Sequence, residues 1–121
     1  MARSLLTLTE EAALTAAATE MASRSVGSAL VMDGDRLVGI ITERDVLRAV
    51  GAGKVDGTVG DWMTRHPETV DADESTQQAG VVMIHGGFRH LPVLDEGKPC
   101  GIVSIRDLMR VVLEDVSPRG V

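Results

Sequence analysis

The hydrophobic and polar positions of this chain follow a pattern that occurs twice. In each occurrence a polar segment leads into apolar positions spaced i, i+3, i+4 and i+7, which lie on one face of a helix. The two predicted stripes are Leu14, Ala17, Ala18 and Met21 in the first occurrence and Thr76, Ala79, Gly80 and Met83 in the second. Because most of these side chains are small, we expect both helices to pack closely against their neighbours.

Two short runs of strand-forming residues follow each predicted helix and are joined by a turn. In the first occurrence the runs are Ala29–Met32 and Leu37–Ile41, and the Asp33-Gly34 pair between them is typical of a hairpin. In the second occurrence they are Leu91–Leu94 and Cys100–Val103. Each occurrence is therefore predicted to contain an antiparallel hairpin.

A second helix is predicted to close each occurrence, over Glu43–Val50 in the first and from Ile105 to about Asp115 in the second. Short extended segments at Thr7-Leu8 and Thr69-Val70 come before the first helix of each. The order of elements is then β-α-β-β-α in both occurrences. This order predicts an α+β fold class.

The two occurrences are copies of one unit. Shifting the sequence by 62 residues aligns Leu5–Val50 with Pro67–Val112 without a gap and places 11 identical residues opposite each other. A unit of this size buries only about 60% of the surface of its unfolded chain, so we expect the copies to share a core about a pseudo-twofold axis. The predicted organisation is a first repeat over 5–52, a linker and lead-in over 53–66, a second repeat over 67–115 and a loose tail over 116–121.

Composition and charge narrow the class of protein. The 121 residues include only two aromatic side chains and carry a formal net charge of −6, which disfavours direct nucleic-acid binding. No apolar run reaches the roughly 18 residues needed to cross a membrane. The single cysteine, Cys100, fits a reducing compartment, so we expect a cytoplasmic protein, with Cys100 as a small buried side chain.

The candidate chemistry lies where a strand meets a helix in each copy, in the segments Gly39–Asp45 and Gly101–Asp107. They read G-I-I-T-E-R-D and G-I-V-S-I-R-D. In structural terms, Thr42 with Asp45, and Ser104 with Asp107, are helix-capping pairs.

A functional interpretation stands beside the structural one. A helix N-terminus favours an anionic ligand, a carboxylate at that position can accept hydrogen bonds from both hydroxyls of a ribose, and an arginine can pair with a phosphate. Arg44 and Arg106 stand next to the two aspartates. The presence of the pattern in both copies favours a ligand site.

With these residues the chain resembles a tandem pair of CBS domains, the module named after cystathionine beta-synthase and also called a Bateman module. The resemblance covers Leu5–Val112 and is most specific in the two junction segments and in Phe88–Val93. It implies two β-α-β-β-α units with two clefts that bind adenosine-containing ligands such as AMP, ADP, ATP or S-adenosylmethionine. It also implies a homodimer.

The resemblance assigns roles residue by residue. Thr42 and Asp45 would hold the ribose in one cleft, and Ser104 and Asp107 in the other. The remaining candidate residues border the adenine, line the clefts or face phosphate: Thr7, Leu8, Thr69, Val70, Gly27, Ser28, Arg89, His90, Pro92, Arg44 and Arg106. Since Gly27-Ser28 align with Arg89-His90, the second copy is the better equipped for phosphate.

The function predicted from these observations is regulation. The sequence contains neither a nucleophile with its base nor metal-ligand spacing among its His and Cys residues, so we expect no enzymatic activity, no required cofactor and no metal. We predict a stand-alone module that binds an adenosine ligand, signals through conformational or dimer changes and has a regulated protein partner. The alternative is a dimeric structural or interaction module with vestigial clefts. A regulator in direct contact with DNA is disfavoured by the negative charge.

Overall fold

A computed structural model describes residues 5–116 of the chain, with side chains described as far as residue 110. The predicted loose tail lies outside the described residues, except for Val116 at the end of the last helix. The structure divides into a first unit that extends to Pro67 and a second unit that begins at Glu68. Both mix helices with a sheet, which confirms the α+β class.

The first unit contains a four-stranded sheet and three helices. Its elements are β1 Thr7–Leu8, α1 Leu14–Arg24, β2 Ser28–Asp33, β3 Arg36–Thr42, α2 Glu43–Gly51, α3 Val59–Trp62 and β4 Thr64–Arg65. The strands are ordered β1-β2-β3-β4, with β1 parallel to β2 and the other neighbours antiparallel. Leu14, Ala17 and Met21 of α1 are buried in the core of this unit.

The second unit repeats most of this arrangement. Its elements are β5 Val70–Asp71, α4 Thr76–Gly86, β6 His90–Asp95, β7 Lys98–Ser104 and α5 Ile105–Val116. The strands are ordered β5-β6-β7, with β5 parallel to β6 and β6 antiparallel to β7. Ala79 and Met83 of α4 are buried in the core of this unit.

The register of the hairpins confirms the 62-residue repeat. Ser28 is opposite Thr42 in the first unit, and His90 is opposite Ser104 in the second. Even the irregularity in strand pairing recurs, after Val31 in one unit and after Val93 in the other. The repeat is therefore preserved at the level of individual residue pairs across the hairpins.

Several expectations need correction. The second short strand begins at Val70 rather than at Thr69. Thr76 is exposed, because it stands in the first turn of α4, and Ala18 of α1 is only half-buried. The buried faces of α1 and α4 are therefore narrower than predicted.

Cys100 is exposed rather than buried. It lies at the pairing irregularity, between Pro99 opposite Leu94 and Gly101 opposite Val93, where a bulge re-aims the side chain.

The lead-in segment packs on the first unit. Val59 is fully buried and Met63 is nearly so, and both belong to the core of that unit. The backbone NH of Val59 donates to the carbonyl of Ala12 at 2.9 Å, and that of Leu14 donates to the carbonyl of Gly57 at 3.0 Å. The segment after α2 therefore completes the first unit.

Gly39 is the point where β3 and the lead-in come closest. A Cβ atom at this position would lie 2.7 Å from the sulfur of Met63 and 2.8 Å from the backbone oxygen of Thr64. Since a backbone atom cannot rotate away, any larger residue forces β4 off β3. Glycine is required here by space rather than by an unusual φ angle.

We predict that Gly39→Ala lowers the free energy of unfolding by about 1–3 kcal/mol, because the added methyl group overpacks this contact. Gly51→Ala is the matched control, since a Cβ at Gly51 meets nothing within 4 Å, and its effect should be neutral or slightly stabilising. Urea denaturation of both variants measures the difference. Equal stabilities for the two variants would contradict the proposed role of Gly39.

Candidate functional site

The first strand-to-helix junction is held by a reciprocal set of hydrogen bonds. Thr42 is the N-cap of α2, and its hydroxyl accepts from the backbone NH of Asp45 at 3.4 Å. In return, Oδ2 of Asp45 accepts from the backbone NH of Thr42 at 2.9 Å and from its hydroxyl at 3.1 Å. These bonds form a capping box, which satisfies backbone donors that the first turn of a helix leaves without partners.

The second junction has the same construction. The backbone NH of Ser104 donates to Oδ2 of Asp107 at 3.0 Å, and the backbone NH of Asp107 donates to the Ser104 hydroxyl at 3.1 Å. Partial burial by itself raises the pKa of Asp107, but hydrogen bonds from Ser104 and the positive charge of Arg110 outweigh it and hold this pKa below its ordinary value of 3.8. The predicted capping pairs are thus confirmed at both junctions.

The carboxylate of Asp45 also has a partner outside the cap. Its Oδ1 atom lies 3.2 Å from Nη2 of Arg48, whose guanidinium stands 5.7 Å from the centre of the Trp62 ring. The Asp45 side chain is 11% exposed and that of Arg48 is 58% exposed. Arg48 thereby connects the junction to α3.

Sequence reasoning left Arg48 out of the candidate site, although a signal was present. Arg48 and Arg110 are one of the identical pairs of the repeat, and each stands three residues after its aspartate. That spacing brings two side chains together on a helix. After the hydrogen bonds from Ser104, the charge of Arg110 is one of the causes that lower the pKa of Asp107.

The segments predicted to line the ligand clefts, Gly27-Ser28 and Arg89-His90, lie beside the strand-to-helix junctions of their units. The backbone NH of Glu43 donates to the carbonyl of Gly27 at 2.9 Å, and that of Ile105 donates to the carbonyl of Arg89 at 2.9 Å. The next residues, Ser28 and His90, begin β2 and β6, opposite the capping residues of their units. The structure therefore brings these candidate residues together with their capping pairs.

The predicted adenine segments occupy the neighbouring strand of each sheet. Thr7 and Leu8 of β1 are opposite Leu30 and Val31 of β2, while Val70 of β5 is opposite Val93 of β6. Thr69, the residue before β5, is half-buried, and so is Leu8.

Two apolar candidate side chains of the second unit are buried. Val70 is 5% exposed, and Pro92 is fully buried. Their roles as binding residues therefore stay predictions that depend on the backbone and on the shape of the sheet.

The candidate cations are open to solvent. Arg44, Arg89 and Arg106 are exposed, and none of them forms an ion pair within the part of the chain that the structure describes. Among residues 5–116 there is also no group of three or more His, Cys, Asp or Glu side chains that could hold a metal ion. In the same range, every helix is too short or too polar to cross a bilayer. The exposed guanidinium groups of these arginines are of the kind that pairs with anionic groups.

Comparison with known proteins identifies the family to which the chain belongs. The sequence profile of the CBS domain matches residues 1–52 and 59–114, so one match falls on each copy of the repeat and the second match also includes the lead-in. The chain belongs to the CBS domain family. An uncharacterized 17.7 kDa protein of Acidianus ambivalens is 44% identical over 100 residues, which make up 81% of this chain and 61% of that protein. The chain thus spans less than two thirds of this relative's length.

Solved structures of CBS proteins share the fold, and some contain adenosine ligands. A CBS domain protein of Pyrobaculum aerophilum in complex with AMP is 31% identical, with a TM-score of 0.85 over 97% of this chain and 94% of that one. The CBS domain pair of protein MJ0100, in complex with 5′-methylthioadenosine and S-adenosyl-L-methionine, is 25% identical, with a TM-score of 0.87 over 95% of this chain and 93% of that one. These two structures identify the chemical class of ligand that the family can bind.

We predict that Asp107→Asn lowers the free energy of unfolding by about 0.5–1 kcal/mol at pH 7, because it removes a negative charge from the N-terminus of α5. Since the pKa of Asp107 is lower in the folded chain than its ordinary value of 3.8, this stabilisation is fully present above about pH 4. It disappears as the pH falls through the lower, folded-state pKa. Urea denaturation from pH 7 to pH 3 should therefore show the two proteins converging at the acid end.

The control for this experiment is Asp95→Asn, which neutralises an exposed carboxylate at the other end of the β6-β7 hairpin. Its stability should stay within about 0.5 kcal/mol of the original protein at neutral pH, as is usual for surface changes. A constant difference between Asp107→Asn and the original protein at every pH would contradict the assigned pKa direction.

Proposed function

We propose that this CBS domain chain is a regulatory module that binds an adenosine-containing ligand at its strand-to-helix junctions. The ligand is AMP, ADP, ATP or S-adenosylmethionine, and binding is passed on as a change of conformation or of dimer contacts. The observation that carries the proposal is the capping box present in both units, with its aspartate held in the same way and an arginine beside it. A purely structural cap has no need of the arginine.

The arrangement leaves the aspartates able to serve a ligand as well as the helix. Each carboxylate oxygen accepts more than one hydrogen bond, so Oδ2 of Asp45 can cap α2 while Oδ1 and the remaining lone pairs accept from ribose hydroxyls. The first turns of α2 and α5 add backbone NH groups and a partial positive charge for an anionic part of the ligand. Arg44 and Arg106 are exposed at these turns.

The related structures support the class of ligand. AMP is bound in the Pyrobaculum protein, and 5′-methylthioadenosine and S-adenosyl-L-methionine are bound in MJ0100. These three ligands have the adenosine moiety in common and differ in the substituent at the 5′ position. Recognition of the shared ribose by Asp45 and Asp107 fits that common feature.

Binding rather than catalysis is the proposed activity. The Acidianus ambivalens relative is described as uncharacterized and an Arabidopsis thaliana relative as a CBS domain-containing protein, and neither name includes a reaction. A change in domain geometry on ligand binding needs only that the ligand binds one conformation more tightly than another. We therefore propose a cytoplasmic sensor that acts on a protein partner.

The test is a ligand panel with AMP, ADP, ATP, S-adenosylmethionine and NAD, followed by thermal unfolding and calorimetry. A ligand at 100 times its dissociation constant should add about 2.7 kcal/mol to stability. Asp45→Ala and Asp107→Ala should each remove one binding site, whereas Asp35→Ala, in the turn at the far end of the β2-β3 hairpin, should leave binding unchanged. Absence of stabilisation by every member of the panel would contradict the proposal.

A second candidate function, a dimeric interaction module, is favoured by a different observation. Large apolar side chains are exposed on three helices: Leu47 on α2 at 69%, Ile84 on α4 at 74% and Met109 on α5 at 58%. Contiguous exposed apolar patches mark surfaces that associate, and these three side chains are the residues that we propose for such a patch. We propose a homodimer that uses such helix faces.

We predict that Ile84→Glu shifts the chain toward the monomer, because it places a charge in an apolar contact. Sedimentation velocity at several protein concentrations measures the shift. Val55→Glu is the control, since Val55 is also exposed but lies in the loop between α2 and α3. A dimer that persists unchanged in Ile84→Glu would exclude this residue from the interface. A dimer that ignores every ligand would favour this second function over the first.

A further inference from the structure

The two junctions differ sharply in the charge next to their capping boxes. In the first unit the carboxylate of Glu43, the first residue of α2, lies against Gly27. A Cβ atom built on Gly27 would stand 3.2 Å from Oε1 and 3.5 Å from Oε2 of Glu43. In the second unit the corresponding residues are Ile105 and Arg89, so an acid beside a glycine is replaced by an apolar residue beside a base.

The backbone at these positions is the same in both units. The hydrogen bond from Glu43 NH to the Gly27 carbonyl is 2.9 Å long, and the one from Ile105 NH to the Arg89 carbonyl is also 2.9 Å long. The two units therefore present different side chains on one frame. The difference between the junctions is one of chemistry.

The contrast extends to the net charge of the junction. The five aligned positions of the first unit are Gly27, Ser28, Glu43, Arg44 and Asp45, with a formal charge of −1. Their counterparts in the second unit are Arg89, His90, Ile105, Arg106 and Asp107, with a formal charge of +1 while the histidine is neutral. Arg44 in the first set aligns with Arg106 in the second, so these two arginines do not contribute to the difference in charge. The difference in charge between the two junctions comes from Glu43 and Arg89.

We infer that the two junctions select different ligands: the second takes a phosphate-bearing adenine nucleotide, and the first takes an adenosine derivative without phosphate. This inference rests on the proposed function, because it assigns a ligand class to each of its sites. A nucleotide phosphate carries up to two negative charges, which Glu43 repels at the first junction and Arg89 attracts at the second. A neutral or cationic 5′ substituent meets no such repulsion from Glu43.

The experiment is calorimetry on the full chain with AMP and 5′-methylthioadenosine, a pair that shares the adenosine moiety and differs in the phosphate. AMP should bind tightly to one site per chain. In Glu43→Gln, which keeps the side chain's size and removes its charge, AMP should gain a second tight site, with affinity for that site raised on the order of tenfold. The gain should shrink as salt rises, because the exposed carboxylate is screened.

The reciprocal variant examines the second junction. Arg89→Gln should weaken AMP at its tight site on the order of tenfold and leave 5′-methylthioadenosine unchanged. Asp35→Asn is the matched control for Glu43→Gln, because it also removes one negative charge and Asp35 is exposed in the hairpin turn at the far end of β2 and β3. It should change neither ligand's affinity.

Trp62 provides a second readout for the first unit. It is the only tryptophan of the chain, and Arg48 connects it to Asp45. In the original protein 5′-methylthioadenosine should change its emission at concentrations where AMP does not. In Glu43→Gln both ligands should change it.

The outcomes separate the two hypotheses. If neither 5′-methylthioadenosine nor any member of the ligand panel binds, the proposed function and this inference are both overturned. If 5′-methylthioadenosine binds but Glu43→Gln leaves the affinity and stoichiometry of AMP unchanged, the inference alone is overturned. Equal AMP affinity at both sites of the unmutated protein would likewise overturn the inference but not the proposed function.

Discussion

The reciprocal hydrogen bonds between a strand's last residue and the aspartate three positions later determine the rest of each site. A helix that starts directly after a strand leaves backbone NH groups without partners, and an uncapped start costs roughly 1 kcal/mol. Thr42 with Asp45, and Ser104 with Asp107, remove this cost and fix both the direction of the helix and the orientation of the carboxylate. The carboxylate that we propose as the acceptor for ribose hydroxyls is therefore already ordered in the ligand-free chain, so little conformational entropy would be lost in orienting it on binding.

Backbone hydrogen bonding also explains how the two copies can diverge without losing the site. The bonds from Glu43 NH to Gly27 and from Ile105 NH to Arg89 use main-chain atoms only, so they can form with different side chains at these four positions. The capping residues lack this freedom, because their side chains are part of the frame. Duplication of such a unit gives two sites with one geometry and separately adjustable charge.

Much of this structure was predictable from the sequence, because it depends on local pattern. The apolar stripes place α1 and α4, the hairpin signal places β2 and β3, and the capping pairs mark the starts of α2 and α5. The bulge at Cys100 was not predictable, since it depends on which residues pair across two strands. The packing of Val59 against the first unit was likewise missed, because an isolated four-residue helix has no periodicity to read.

The exposed ion pair between Arg48 and Asp45 suits the ligand-binding role that we propose for this junction. Its guanidinium is 58% exposed, so its pairing with Asp45 contributes at most about 1 kcal/mol. A ligand hydroxyl can therefore take over part of the Asp45 carboxylate at small cost, and Arg48 keeps its contact with Trp62 as an alternative partner. A buried pair in the same place would hold Asp45 so firmly that removing its partner costs several kcal/mol. Solvent exposure of Arg48 thus leaves Asp45 ordered by its cap and still available on its outer side.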